Sequence, residues 1–442
     1  MTEAQQTTIL ENFLLWRGPG SVVEEGMALL IKGHEIQEIG TKVTVPQLAR
    51  RVDLRGTLVM PGWQQTHVHA CQTIFRGMAE NLPLLRWLRE YIWPLEAAHD
   101  EESIRMSALL TAAELIRGGT TAVFCFETVR HTGVTAAVMA EAGLRATVAP
   151  CLMDEQAGFP PLAVDTDSAL RATEDLDRYY QDHPRLRIGL APRFALGCHE
   201  KSMRAAAEMA KDKQWPLHTH SSEQREEVEF VRRLTGRGNV KFLHDCGVCG
   251  PNVALVHGVH LDPGDLELLR ESGTSLVHCP SANAKLGSGI APIPDLRAAG
   301  IPLSLGADGA PCNNRLDMFQ EIRLAGMLQS LARGPGVLPP EEILDMATNG
   351  GSRFFRYGGQ LGYLRPGARA DLIAVSQTNV GVVPSESYLT NLVYGNLSTD
   401  VVLTMVDGEI LYERGVFAKW DWAEIQKKSE EQRILLRRRA GC

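Results

Sequence analysis

Residues 61–77 read PGWQQTHVHACQTIFRG, and the fold turns on how this stretch is taken. The apolar run that enters it from Leu58 has the composition of a buried β-strand. It ends in His67 and His69, and Gln72 follows three positions later. Residues two apart on a strand share a face, so both imidazoles leave the strand's end in the same direction. Two neutral nitrogen donors converging on one point are the beginning of a metal site.

Outward from this strand, the middle of the chain alternates apolar runs with helical patterns. Eight candidate strands can be counted: LVMPGWQQTHVH, TTAVFCFE, LRATVAPCL, LRIGLAPRFAL, WPLHTHSSE, NVALVHGVHL, TSLVHCPSA and IPLSLGADGA. Helical stretches such as EESIRMSALLTAAELIRG and KSMRAAAEMAKDK lie between them. Eight strands each followed by a helix predict a closed, parallel (β/α)8 barrel of the TIM type, over about residues 59–364. Both chain ends are rich in short strands, with Lys32-Gly33 and Asp407-Gly408 at hairpin turns. Neither end has enough strands to stand alone, so residues 1–58 and 365–418 are expected to pair into one small β-sandwich beside the barrel. The remainder, 419–442, is expected to be a charged terminal helix.

Apolar residues make up 44% of the 442-residue chain and charged residues 22%, the composition of an ordinary globular protein. A net charge of -8 argues against a nucleic-acid surface and for a small neutral substrate. No run of about 18 apolar residues is present and the N-terminus lacks a signal-peptide pattern, so a cytoplasmic protein without membrane contact is expected. The nine cysteines are an odd number, most of them set in apolar runs, as reduced core thiols would be. Cys246 and Cys249 form a CxxC with no second pair nearby, which is read as chance.

In a barrel of this kind, polar residues at the C-terminal strand ends meet at one mouth. His67 and His69 end strand one, His220 ends strand five, His257 and His278 lie late in strands six and seven, and Asp308 ends strand eight. One such histidine is usually a satisfied core residue, but several together with an acid are costly to bury without a shared partner. The metal ligands are therefore expected to be His67, His69, His220 and Asp308. Glu223, three residues beyond His220, has a plainer reading as a first-turn acid of the next helix. A metal-activated water needs a carboxylate to move its proton, which favours a catalytic role. His257 is the expected partner for that water, and His218, on the same strand face as His220, is expected behind the ligands.

The motifs HVH, HSSE, VHGVH, HCPSANAKLGSGIAP and LGADGAPCNN, in this order, closely resemble the amidohydrolase superfamily. The chain is similar to its aminohydrolase branch, which holds guanine deaminase, the S-adenosylhomocysteine and methylthioadenosine deaminases and the s-triazine hydrolases. The resemblance runs over essentially the whole chain, including LGYLRPGARADLIAV near the C-terminus. It implies one metal ion, zinc with iron(II) as the alternative, because LRIGLAPRFAL lacks the lysine of two-metal members. It also implies a homodimer or higher homo-oligomer and a hydrolytic deamination. In that reaction activated water attacks an amino-bearing ring carbon, Glu223 protonates the adjacent ring nitrogen, and His257 with Asp308 handles the water proton.

The substrate residues implied by the resemblance are of two kinds. Gln72, Arg193 and Phe194 match the guanine deaminase pattern, in which the first two read the base edge. Trp87 and Glu96 match positions where adenosine-type enzymes stack the base and hold ribose hydroxyls, although a packed aromatic and a helix-surface acid are plain alternatives. His278 is expected to touch the substrate. Base-edge hydrogen bonds discriminate more strongly than an apolar wall, so guanine or a related aminopurine or pterin is put first. An S-adenosylhomocysteine or methylthioadenosine deaminase comes second and an s-triazine chloro- or aminohydrolase third. The H-x-E and P-C-x-x-C signature of the other deaminase fold is absent.

Overall fold

The fold was analysed in a computed structural model, which describes residues 7–441. The opening apolar run divides at Gly62. Thr57–Pro61 enters a sheet made by the chain ends, whereas Trp63–Val68 becomes the first barrel strand. A Cβ on Gly62 would lie 2.1 Å from the Thr121 side chain, so only glycine lets the chain pass between the two bodies here.

Two four-stranded parallel sheets make the barrel. The first holds Trp63–Val68, Thr120–Phe126, Arg145–Ala149 and Leu186–Ile188; the second holds Leu217–Ser221, Val253–His257, Ser275–His278 and Leu303–Leu305. Parallel bridges close both seams: Leu190 and Phe194 pair with Leu217 and His220, and Val68 pairs with Asp308. The third and fourth strands break and resume as Cys151–Leu152 and Ala191–Pro192, which distorts the barrel on that side. All strand residues from Trp63 to Val68 and from Thr120 to Phe126 are buried, as strands covered on both faces must be.

The terminal sheet has nine strands drawn from both ends of the chain. It branches at Thr7–Trp16, whose first half pairs with Arg50–Asp53 and whose second half pairs with Thr57–Pro61. Its strands share a core that includes Phe13, Leu29, Leu372 and Met405. The expected turns are present at Gly33 and at Asp407-Gly408, all with left-handed φ. Arg145, at the base of the third barrel strand, locks the two bodies together. Its guanidinium donates to Asp371 at 2.7 and 3.0 Å and to Asp407 at 2.6 Å, with no exposed side-chain surface.

The terminal helix, Trp422–Ala440, is not a free solvated rod. Ile425, Ser429 and Leu436 are buried, and Arg439 pairs with Asp100, the N-cap of the barrel helix Glu101–Arg117, at 2.8 Å. No helix of the described residues is long and apolar enough to cross a membrane. The eight described cysteines are all unpaired.

Candidate active site

His67, His69, His220 and Asp308 meet at the C-terminal mouth of the barrel, with one ligand atom of each lying within 4.8 Å of the others. His69 Nδ1 donates to the Phe126 carbonyl at 2.9 Å and His220 Nδ1 to the Arg193 carbonyl at 2.6 Å. Those bonds fix both tautomers, so each Nε2 carries a lone pair, and the two nitrogens are only 3.2 Å apart. Facing lone pairs at that distance repel unless a cation lies between them. Burial holds the His67 imidazole down to about 4 and pushes His220 well below its ordinary value. His67 leaves both ring nitrogens without a partner, and Asp308 Oδ1 lies 3.2 Å from His69 Nε2 and 3.6 Å from His67 Nε2. Three imidazoles and a carboxylate fit a zinc-type ion that keeps one position open for water. Among the described residues this is the only such cluster; Cys246 and Cys249 belong to none.

Glu223 and His257 flank the cluster. Glu223 is 4% exposed, its Oε1 has no partner, and its Oε2 lies 3.6 Å from His257 Nε2. Burial pushes the Glu223 carboxyl well above the usual carboxylate range, with the charges of Asp308 and Glu227 adding to the effect. Burial lowers the His257 pKa. His257 Nδ1 faces the Asn283 side-chain oxygen at 2.9 Å and donates to it, which leaves Nε2 as an acceptor 3.9 Å from Asp308 Oδ2. Glu223 is not the helix cap. Gln224 occupies that position, and Glu227 accepts the backbone N–H of both Glu223 and Gln224 at 2.8 and 3.4 Å. Ser222, His257 and Asp308 all have left-handed φ, between 55° and 79°, at the strand ends that carry the site. Such backbone costs on the order of 1 kcal/mol or more per residue and persists where the surroundings impose it.

A small cavity opens on this cluster. It is lined by His69, His220, Glu223, Glu227, His257 and Asp308, together with Gln72, Trp87, Arg193, Phe194 and three leucines. Its volume of about 30 Å³ has room for water rather than a ring. Glu96 and His278 are not among its lining residues. His278 is 1% exposed with both ring nitrogens unpartnered, and Glu96 is 3% exposed, so it is not a helix-surface acid. His218 lies deeper in the barrel, stacked on Phe124 with ring centroids 3.6 Å apart. His260 donates to the Ser288 carbonyl at 2.8 Å. Sequence reading passed over Asn283 and Glu227. Asn283 lies inside the HCPSANAK motif, where only its position after strand seven could have drawn attention to it.

The amidohydrolase family model matches residues 58–411. The chain belongs to the amidohydrolase family. It is 37% identical over 391 residues to the 5-methylthioadenosine/S-adenosylhomocysteine deaminase of Syntrophobacter fumaroxidans, covering 87% of this chain and 88% of that one. It is 34% identical over 391 residues to the 5'-deoxyadenosine deaminase of Methanosarcina mazei, with the same coverage of 87% and 88%. Among solved structures, a zinc-bound adenosine deaminase from Xanthomonas campestris superposes with a TM-score of 0.90 at 28% identity, covering 98% of each chain. This amidohydrolase is therefore a hydrolytic deaminase acting on carbon–nitrogen bonds in cyclic amidines. Its relatives favour the adenosine-type reading over the guanine-type one that Gln72 and Arg193 had placed first.

Proposed function

We propose that this amidohydrolase hydrolyses the exocyclic amine of a 6-aminopurine of the adenosine type, such as 5'-methylthioadenosine, S-adenosylhomocysteine or 5'-deoxyadenosine, releasing ammonia. The observation that carries the reaction is the pair of Nε2 acceptors of His69 and His220, 3.2 Å apart beside Asp308. The names of the relatives support the ring. His67, His69, His220 and Asp308 would hold one divalent ion, zinc first and iron(II) second. When bound, that ion supplies Lewis-acid activation of a water near neutral pH.

The chain's own residues manage the protons. Glu223, whose carboxyl is pushed above the usual carboxylate range by burial, donates a proton to the ring nitrogen beside the amino-bearing carbon. His257 Nε2 accepts a proton from the water as its oxygen bonds to that carbon. Glu223, now a carboxylate, takes the remaining hydroxyl proton while His257 returns its own to the amine. The carbon–nitrogen bond then breaks, leaving a ring carbonyl and ammonia, and both side chains regain their starting forms. Phe194 and Trp87 supply flat apolar surface on the cavity wall.

Guanine is the second reading, favoured by the joint presence of Gln72 and Arg193 on that wall. A panel measuring ammonia release from the three adenosine compounds, adenosine and guanine separates the two. Turnover of the adenosine compounds supports the proposal. Turnover of guanine alone replaces it with the second reading, and silence on every aminopurine overturns both.

A further inference from the structure

Glu96 sits directly behind the substrate wall, and both of its oxygens are fully engaged. Oε1 accepts from Gln72 Nε2 at 2.7 Å and from Arg193 Nη2 at 3.0 Å. Oε2 accepts from Arg193 Nη1 at 2.6 Å and from Thr128 Oγ1 at 3.2 Å. A carboxylate offers about four lone-pair sites, and four donors occupy them. Nothing is left for a substrate hydroxyl, and Glu96 does not line the cavity.

The same bonds determine what the wall presents. A carboxylate only accepts, so the Gln72 amide must turn its nitrogen toward Glu96. That leaves Gln72 Oε1, on a cavity-lining side chain, buried and without a partner. Gly309 lets the amide sit there, since a Cβ at that position would lie 2.2 Å from Gln72 Oε1. Arg193 is 3% exposed and gripped at both terminal nitrogens, so its guanidinium is held in one plane.

We propose that Glu96 is a positioning residue that presets Gln72 as an acceptor and Arg193 as a donor for the purine edge, and that it holds no sugar hydroxyl. The inference rests on the aminopurine-deaminase reading above. Its consequence for specificity is that the enzyme selects the base and is indifferent, at this position, to the 2'- and 3'-hydroxyls of a nucleoside.

The test compares adenosine with 2',3'-dideoxyadenosine in the metal-loaded wild type and in Glu96→Gln, alongside thermal midpoints of Glu96→Gln, Arg193→Met and the double variant. The wild-type kcat/KM values for the two nucleosides are expected within about tenfold of each other. Glu96→Gln should lower both by about tenfold or more with their ratio unchanged and KM raised, because the wall loses its alignment. A purely structural role would lower kcat through the active fraction and leave KM alone. The double variant should melt above Glu96→Gln, because removing Arg193 also removes the buried charge stranded by the first change. A wild-type preference of about 100-fold for the diol that Glu96→Gln alone abolishes would overturn the inference while leaving the deaminase reading intact. Silence on both nucleosides would overturn that reading, and the thermal cycle would still judge the Gln72–Glu96–Arg193 unit: losses that simply add refute it.

Discussion

Replacing Glu223 by glutamine removes a titratable proton from the site while preserving the side chain's shape. Glu223 Oε1 has no partner, and the nearest basic nitrogen to Oε2, His257 Nε2, is 3.6 Å away, so the amide forfeits no strong hydrogen bond. The backbone N–H of Glu223 remains held by Glu227 at 2.8 Å, which keeps residue 223 in place. Fold stability and metal content should therefore stay near wild type, and the whole effect should fall on the proton transfer. One positioned acid or base contributes about 10² to 10⁴ in rate, or about 2.7 to 5.4 kcal/mol of barrier. The upper part of that range is expected, because the same carboxyl is asked to protonate the ring and later to take back a proton. The assay is single-turnover ammonia release from 5'-deoxyadenosine, with metal content and thermal midpoint measured on the same preparations. A Glu223→Gln enzyme within tenfold of wild type, with the metal retained, would refute the assignment of the proton to this residue.

Other perturbations test the frame around the site. Asp371→Asn breaks the buried pair with Arg145 that joins barrel and terminal sheet; a loss of about 3 to 5 kcal/mol is expected in urea unfolding, and an unchanged midpoint would deny the lock its role. Gly306→Ala places a Cβ 2.8 Å from the backbone of His67, so strands one and eight must separate; about 1 to 3 kcal/mol of stability and weaker metal retention should be lost together, and intact metal affinity would count against the placement. Glu321, buried between the loops after strands seven and eight, has a carboxyl raised by burial to about 7 from 4.5. A raised value means stability that is full below about pH 4.5 and is lost as pH rises through 7, at most roughly 3 kcal/mol between those limits. Glu321→Gln should flatten that part of the stability–pH curve, and a curve parallel to wild type would refute the attribution.

The barrel was legible because its strands and helices follow short-range periodicity, the pairing of the chain ends because neither end has enough strands to stand alone, and the gathering of His67, His69, His220 and Asp308 because the barrel brings strand ends to one mouth. His67 and His69 share a strand face by spacing alone, and further histidines stand at the ends of strands five, six and seven. The division at Gly62 was not legible, since the apolar run from Leu58 continues through it and the reason for glycine is Thr121 on the next strand. Glu96 reads as a ribose-holding acid with a helix-surface acid as the alternative, because its partner Arg193 lies 97 positions away and no local pattern announces such a pair. His278 reads as a mouth residue because strand seven's end is near the site, but it is buried and does not line the cavity. The left-handed backbone at Ser222, His257 and Asp308 carries no compositional signal, because none of the three is glycine.

The claim on which the account depends most is that His67, His69, His220 and Asp308 share one ion. Metal content by inductively coupled plasma mass spectrometry, on wild type and on His220→Ala and Asp308→Ala, tests it most directly. About one transition-metal ion per wild-type chain, zinc foremost, is predicted, with loss of metal and turnover together in both variants. A wild-type enzyme that turns over with no retained metal, or variants that keep their full complement, would contradict it.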